Sequence, residues 1–119
     1  MPSIAAALHD LLNERDLTVE DALDRHFADG FRQSTNGEWI DREAFAQQMN
    51  GLRTLLDRVE IRVLAELIEG PRYAERHVLT ATRRDGSAGA QEVYLFAVLD
   101  GDGRFASIEE LTRPVPTEA

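Results

Sequence analysis

The sequence predicts an α+β fold in which about three N-terminal helices cover one face of a curved antiparallel sheet. Two observations carry that expectation. Up to Leu56 the apolar residues recur at helical spacing, which marks amphipathic helices. After Asp57 they alternate with polar residues in long runs punctuated by glycine, which marks strands and hairpins. Helices first and strands afterwards argues for segregated α+β layers, not for alternating α/β units.

Ile4, Ala7, Leu8, Leu11 and Leu12 form the stripe of a first helix, with Ser3 as its cap. Thr18 caps a second, whose stripe runs Val19, Ala22, Leu23, His26 and Phe27 and which Gly30 ends. Phe31 to Ile40 reads as a short irregular hairpin around Asn36-Gly37, a dipeptide suited to positive φ. Asp41 then caps a third helix carrying Phe45, Met49, Leu52 and Leu56 on one face. Val59, Ile61, Val63, Ala65 and Leu67 alternate with mostly polar residues, as a strand does. Gly70-Pro71 turns the chain into a strand from Tyr73 to Arg83. Asp85-Gly86 opens a loop to a strand from Gln91 to Leu99, and the DGDG run from Asp100 to Gly103 turns into a last strand, Phe105 to Thr112. The expected organisation is a single domain over residues 1–113 and a loose tail over 114–119, where Pro114 and Pro116 end regular structure.

The strand EVYLFAVL is apolar on both sides: Val93, Leu95, Ala97 and Leu99 point one way, Tyr94, Phe96 and Val98 the other. Helices cover only one face of such a sheet, so the second face also needs cover. A homodimer packed through this open face supplies it; a loop of the same chain is the alternative.

Composition narrows the function. The formal net charge is -9, which disfavours nucleic acid and anionic membrane surfaces as partners. No apolar run is long enough to span a membrane. The N-terminus lacks a basic region and meets Asp10 early, so it does not read as a secretory signal; the expected location is cytoplasmic. Cysteine is absent and all 13 basic residues are arginine, which removes thiolate chemistry, disulfides and Schiff-base lysines. No metal is expected, because the three histidines fall on different elements without ligand spacing. DGDG lacks the later ligands of a calcium loop and reads as a turn. Nucleotide and hydrolase-elbow motifs do not occur, and no cofactor is expected.

The chemistry-bearing residues are few. In YAERHVLTAT, Glu75 and His77 share one strand face and Arg76 takes the other, so the three cannot meet without a bulge. Either parity of this strand can face the interior. The last strand poses the same choice between Glu110 and Glu109. An interior carboxylate needs a partner, and Arg76 with Glu110 is one pairing to test, either as chemistry or as an ion pair in a cavity wall. His26 lies on an apolar helix stripe, as a hydrogen-bonded core residue or as a pocket residue. Trp39 precedes a helix cap, where it lines a pocket mouth or plugs the core.

Two helices leading into HFADGFRQSTNGEWIDREAFAQQM, then long strands ending in VYLFAVLDGDGRFASIEELTR, resemble the nuclear-transport-factor-2-like superfamily in its SnoaL-like, polyketide-cyclase-like branch. The resemblance spans about Ala5 to Arg113. It implies a cone-shaped, cystatin-like roll with a deep apolar pocket between the helices and the concave sheet face, commonly in a dimer. It also implies a small apolar, polyketide- or steroid-like ligand, with Trp39, Phe45, Met49, Tyr94 and His26 at the pocket and Glu110, His77 and Arg76 as catalytic candidates. The steroid-isomerase branch carries an Asp where Thr35 stands and a helix tyrosine that this chain lacks. The epoxide-hydrolase branch's Asp–Arg–Asp set is matched by Arg76 and Glu110, with Val78 in place of the other acid. A cyclase-like histidine–acid pair falls to His77 with Glu109 or Glu110. The implied function is cofactor-free isomerisation, cyclisation or dehydration by acid–base chemistry; the alternative is a non-catalytic dimeric binding module.

Overall fold

A computed structural model describes residues 2–116. Three helices, α1 (Ile4–Leu12), α2 (Val19–His26) and α3 (Arg42–Leu55), accompany six strands. The strands are β1 (Phe27–Thr35), β2 (Glu38–Asp41), β3 (Leu56–Glu69), β4 (Arg72–Arg83), β5 (Ala88–Leu99) and β6 (Phe105–Val115). They form one curved, unclosed sheet in the order β2-β1-β6-β5-β4-β3. Every pairing is antiparallel except β1 with β6, which is parallel. This is the α+β architecture that the sequence predicts.

The three expected helix caps form. Ser3 Oγ accepts from the Ala6 N–H at 3.1 Å, Thr18 Oγ1 from Asp21 at 3.0 Å and Asp41 Oδ1 from Ala44 at 2.9 Å, each satisfying a donor that the first turn leaves open. Asn36 (φ 52°) and Gly37 (φ 93°) make the β1–β2 turn at positive φ, which asparagine tolerates and glycine, lacking a Cβ, adopts freely. In the DGDG turn, Asp100 Oδ1 accepts from the Asp102 and Arg104 N–H groups, each at 2.9 Å.

The helices lie on the concave face and bury one apolar stripe each: Ile4, Ala7, Leu11 and Leu12 from α1, Val19, Ala22 and Leu23 from α2, Phe45 and Met49 from α3. They meet Val93, Leu95, Ala97 and Leu99 of β5 and an aromatic cluster. Phe27 packs on Phe31, Phe45 and Phe105 with centroids 4.6, 5.5 and 5.8 Å apart. Each such buried side chain contributes about 1.5–3 kcal/mol by leaving water. Tyr73, also buried, accepts the Ile4 N–H at 3.1 Å and donates to Glu66, which ties the start of α1 to the sheet. Burial, then the Glu66 hydrogen bond, pushes its phenol pKa up.

Several boundaries differ from the sequence reading. Gly30 does not end α2; the helix stops at His26, and Phe27 already starts β1, which carries Gly30 within it. Apolar residues at 27 and 31 then face the core from a strand, not a helix. β3 does not keep one alternation throughout. The register shifts between Val63 and Ala65, so Val59 and Ile61 pack on the core while Leu67 ends 74% exposed on the outer face. β6 continues past Thr112 to Val115, with Gln91 opposite Pro114, because an edge of the ladder tolerates a proline that has no N–H to give. The tail expected from residue 114 therefore does not begin there, and residues 117–119 lie outside the described residues.

Candidate functional site

Strand parity decides which candidates can meet. On β4, Tyr73, Glu75 and His77 are buried on the inner face, and Leu79 and Ala81 continue toward the core behind them. Arg76 points outward, where its guanidinium carbon sits 5.5 Å from the ring centroid of Tyr94. Of the two parities, the one that carries Glu75 and His77 faces the interior. On β6, Glu110 faces inward and Glu109 is exposed.

A cavity of about 730 Å³ lies between the inner sheet face and helices α1 and α3, a size that suits a drug-sized ligand. Ile4, Leu8, Phe45, Met49 and Leu52 form its apolar wall, and His77, Glu110, Gln33 and Thr35 its polar part. His77 and Glu110 thus line one space, as do Phe45 and Met49 among the pocket candidates.

Four sequence candidates fall outside it. Arg76 and Tyr94 belong to the open face, where the proposed Arg76–Glu110 pairing is impossible because the sheet separates them. Trp39 is 44% exposed on β2 and stacks under Arg32, whose guanidinium carbon is 4.1 Å from the ring centroid. His26 turns away to Asp10, with Nε2 2.6 Å from Oδ2. Burial pushes the Asp10 pKa up, but the His26 hydrogen bond and charge, helped by Arg25, bring it net below its usual value.

The two inward-facing groups are each held by one atom. His77 Nδ1 lies 2.6 Å from Glu75 Oε1, and both side chains are buried. A carboxylate on Nδ1 accepts that nitrogen's proton, fixes the ring plane and leaves the Nε2 lone pair for something else. Among the described residues Nε2 has no hydrogen-bond partner. Glu75 Oε2 is buried and likewise unpartnered, so His77 is what compensates this carboxylate.

Glu110 Oε1 accepts from Thr35 Oγ1 at 2.9 Å and from Gln33 Nε2 at 3.1 Å. With Oε1 occupied by two donors, a proton on this carboxyl belongs on Oε2, which makes no hydrogen bond among the described residues. Burial pushes the Glu110 pKa up; Thr35 and His77 oppose that shift and the Glu75 charge adds to it. The register explains the last effect. Leu95 stands opposite both Glu75 and Glu110, so the two residues lie two inter-strand steps apart on one face, about 10 Å between their backbones. The cavity therefore presents a histidine nitrogen able to accept a proton and a carboxyl biased toward keeping one. Among the described residues no three His, Asp or Glu side chains converge as a metal ion needs.

Sequence reasoning missed Gln33 and Thr35 as carboxyl partners and Glu75 as the partner of His77. The signal for Glu75 was present, since residues two apart on a strand share a face. Thr35 and Gln33 sit beside Glu110 only through the parallel β1–β6 pairing, which no local pattern announces.

No family model matches the chain. An uncharacterised protein of Schizosaccharomyces pombe is 32% identical over 82 residues, 69% of this chain; the match spans 62% of that relative's length. Among solved structures, an NTF2-like protein of unknown function from Exiguobacterium sp. 255-15 superposes with a TM-score of 0.68 at 21% identity, covering 94% of this chain and 98% of that one. A protein with ketosteroid isomerase-like fold from Catenulispora acidiphila, solved in complex with trimethylamine, has a TM-score of 0.66 at 14% identity, over 89% and 80% of the two chains. A provisionally assigned SnoaL-like polyketide cyclase from Jannaschia sp. CCS1 has a TM-score of 0.62 at 16% identity, over 94% and 90%. Three helices on the concave face of one curved six-stranded sheet, shared with these proteins over nearly the whole chain, make this a protein of the nuclear-transport-factor-2-like fold.

Proposed function

We propose that the chain binds a small, mostly apolar molecule in the inner cavity and moves a proton on it, as an isomerase, cyclase or dehydratase does, with no cofactor. One observation carries this reading: His77 and Glu110 line the same cavity, and each has one atom held by the protein and another left over. His77 Nε2 takes a proton from a carbon next to a carbonyl. Glu110 Oε2–H donates to the oxygen on which charge develops. Glu75 holds the ring through Nδ1. Opposed protonation of two groups that line one cavity is what such catalysis needs, and each contributes about 10²–10⁴-fold. Arg76 has no part in it.

The same reading gives the open face to a second copy of the chain. Leu67, Phe96 and Leu111 are 74%, 74% and 65% exposed there, next to Tyr94 and Val98. A contiguous apolar patch of this kind is what one protomer offers another.

The test needs no known substrate. Apolar polyketide- and steroid-like ketones are incubated with the protein in D₂O, and exchange of their α-protons is followed by NMR. The expected result is catalysed exchange with at least one ketone, abolished in His77→Gln and Glu110→Gln. Binding without exchange across the panel makes the chain a binding module instead.

A further inference from the structure

The inner face of β4 changes character along its length. Glu75 and His77 are buried at one end, Leu79 and Ala81 follow, and Arg83 closes the strand at the cavity rim. His77, Glu110 and Arg83 are the ionisable residues that line the cavity. The wall between them is mostly apolar, with Gln48, Gln91 and Thr112 interspersed. Six residue steps of strand lead from His77 to Arg83, about 20 Å at full extension.

Arg83 differs from the cations around it. Arg84 is spent on the end of α3, donating to the Thr54 and Arg53 carbonyls at 3.0 and 3.2 Å. Arg113 is bound to Glu92 at 2.6 Å. Arg83 makes no ion pair among the described residues; Nη1 has only a 3.3 Å contact to Ser87 Oγ. The nearby Asp85 accepts on Oδ1 from the Ser87 N–H and hydroxyl at 2.8 and 2.6 Å; it forms no ion pair with Arg83, although the Ser87 hydrogen bonds, helped by the Arg83 charge, hold its pKa below the usual value. Gly89 of β5, opposite Ala81, lies under the guanidinium and adds no side chain there; a Cβ at that position would stand 4.0 Å from Arg83 Nη2. In a chain of net charge -9, an unpaired guanidinium at the mouth of an apolar cavity is a local exception that attracts anions.

We propose that the ligand is an elongated apolar monoacid carrying a second, uncharged oxygen at its far end. Its carboxylate rests on Arg83 at the rim, its hydrocarbon body fills the wall of Leu52, Leu79 and Ala81, and its carbonyl or hydroxyl oxygen reaches His77 and Glu110. This rests on the cavity reading above and adds the substrate class to it. A guanidinium recognises a carboxylate at short range. A second carboxylate at the far end would give up its water deep in the cavity, where no arginine lines the wall to compensate it.

The probes are ω-hydroxydodecanoate, its methyl ester and dodecanedioate, titrated calorimetrically below their micellar range at neutral pH. The acid is expected to bind about fivefold more tightly than its ester, the upper range for an exposed pair, with the difference shrinking as salt is raised. Arg83→Gln should erase the difference and leave ester affinity unchanged. Dodecanedioate should bind more weakly than the hydroxy acid. Equal affinity for acid and ester in the unaltered protein overturns the inference while leaving the cavity reading intact, as does a preference that survives Arg83→Gln. If neither acid nor ester binds while ketones exchange protons as above, this substrate class is wrong and the proton chemistry stands. If neither class binds, both fall.

Discussion

His77 Nδ1 and Glu75 Oε1 lie 2.6 Å apart on one face of β4, and water reaches neither side chain to any useful extent. Neither residue has another side-chain hydrogen bond among the described residues. Removing one leaves the other's polar atoms buried and unpaired, which costs about 3 kcal/mol or more. His77→Leu should therefore destabilise strongly in urea denaturation. Glu75→Met with His77→Leu should recover most of the loss, because two apolar residues leave nothing unpaired. A double variant that simply adds the two single losses contradicts this coupling.

The same contact fixes a tautomer. With Nδ1–H donating to Glu75, long-range ¹⁵N–¹H spectra of neutral His77 should show the proton on Nδ1 and none on Nε2. Glu75→Gln should disturb that preference. A neutral ring protonated on Nε2 in the unaltered protein would remove His77 as the base.

Glu110 links function to stability through pH. Its pKa is raised above the ordinary 4.5, chiefly by burial. Below 4.5 the folded and unfolded states are both protonated, and the site costs nothing. As pH rises from there, the unfolded state loses its proton first, so folding must hold a proton and stability falls until the folded pKa is passed. Glu110→Gln has no such term. Its stability relative to the unaltered protein should rise from acid to neutral pH and then level off, measured by thermal unfolding across that range. A flat difference contradicts the buried, proton-retaining carboxyl.

Arg53 performs a structural task of unusual density. Its guanidinium donates to the carbonyls of Leu11 at 2.6 Å, Leu17 at 2.5 Å, Asp10 at 2.9 Å and Glu14 at 3.2 Å. These close the C-terminal end of α1 and the loop after it, where carbonyls have no helical partner. Burial, followed by the neighbouring Arg15 charge, lowers its pKa. Arg53→Ala should cost about 3 kcal/mol, since hydrogen bonds from a charged group contribute more than neutral ones. Arg58→Ala, on an exposed pair, should cost less than about 1 kcal/mol. Equal losses would contradict the assignment.

The open face makes a separate prediction. Phe96→Glu places a charge in the apolar patch without touching the core. Light scattering should show a dimer for the unaltered protein and a monomer with unchanged circular dichroism for the variant. A monomeric unaltered protein refutes the assignment of this face to a second copy.

Much of the fold was legible because local signals agreed with it. Ser3, Thr18 and Asp41 announce helix starts, and Asn36-Gly37 a tight turn, through side-chain chemistry that acts within a few residues. The two apolar faces of β5 also read correctly, as Leu95 went inside and Phe96 outside. Non-local geometry was not legible. The register shift at Val63–Ala65 sends Leu67 outward although its spacing matches Val59. The parity of β4 could not be read either, because burying Glu75 and His77 becomes reasonable only once they satisfy each other. Gln33 and Thr35 reach Glu110 through a parallel strand pair distant in sequence. The task of Arg53 has no local signal, since its four acceptors come from α1 and the following loop.

The most direct measurement is a crystal structure of the protein soaked with a ketone that it binds. The expected result places the ligand oxygen within hydrogen-bonding distance of Glu110 Oε2, with the adjacent carbon next to His77 Nε2. A ligand bound instead against Tyr94 and Phe96 on the outer face, above an inner cavity closed by side chains, contradicts the proposed site.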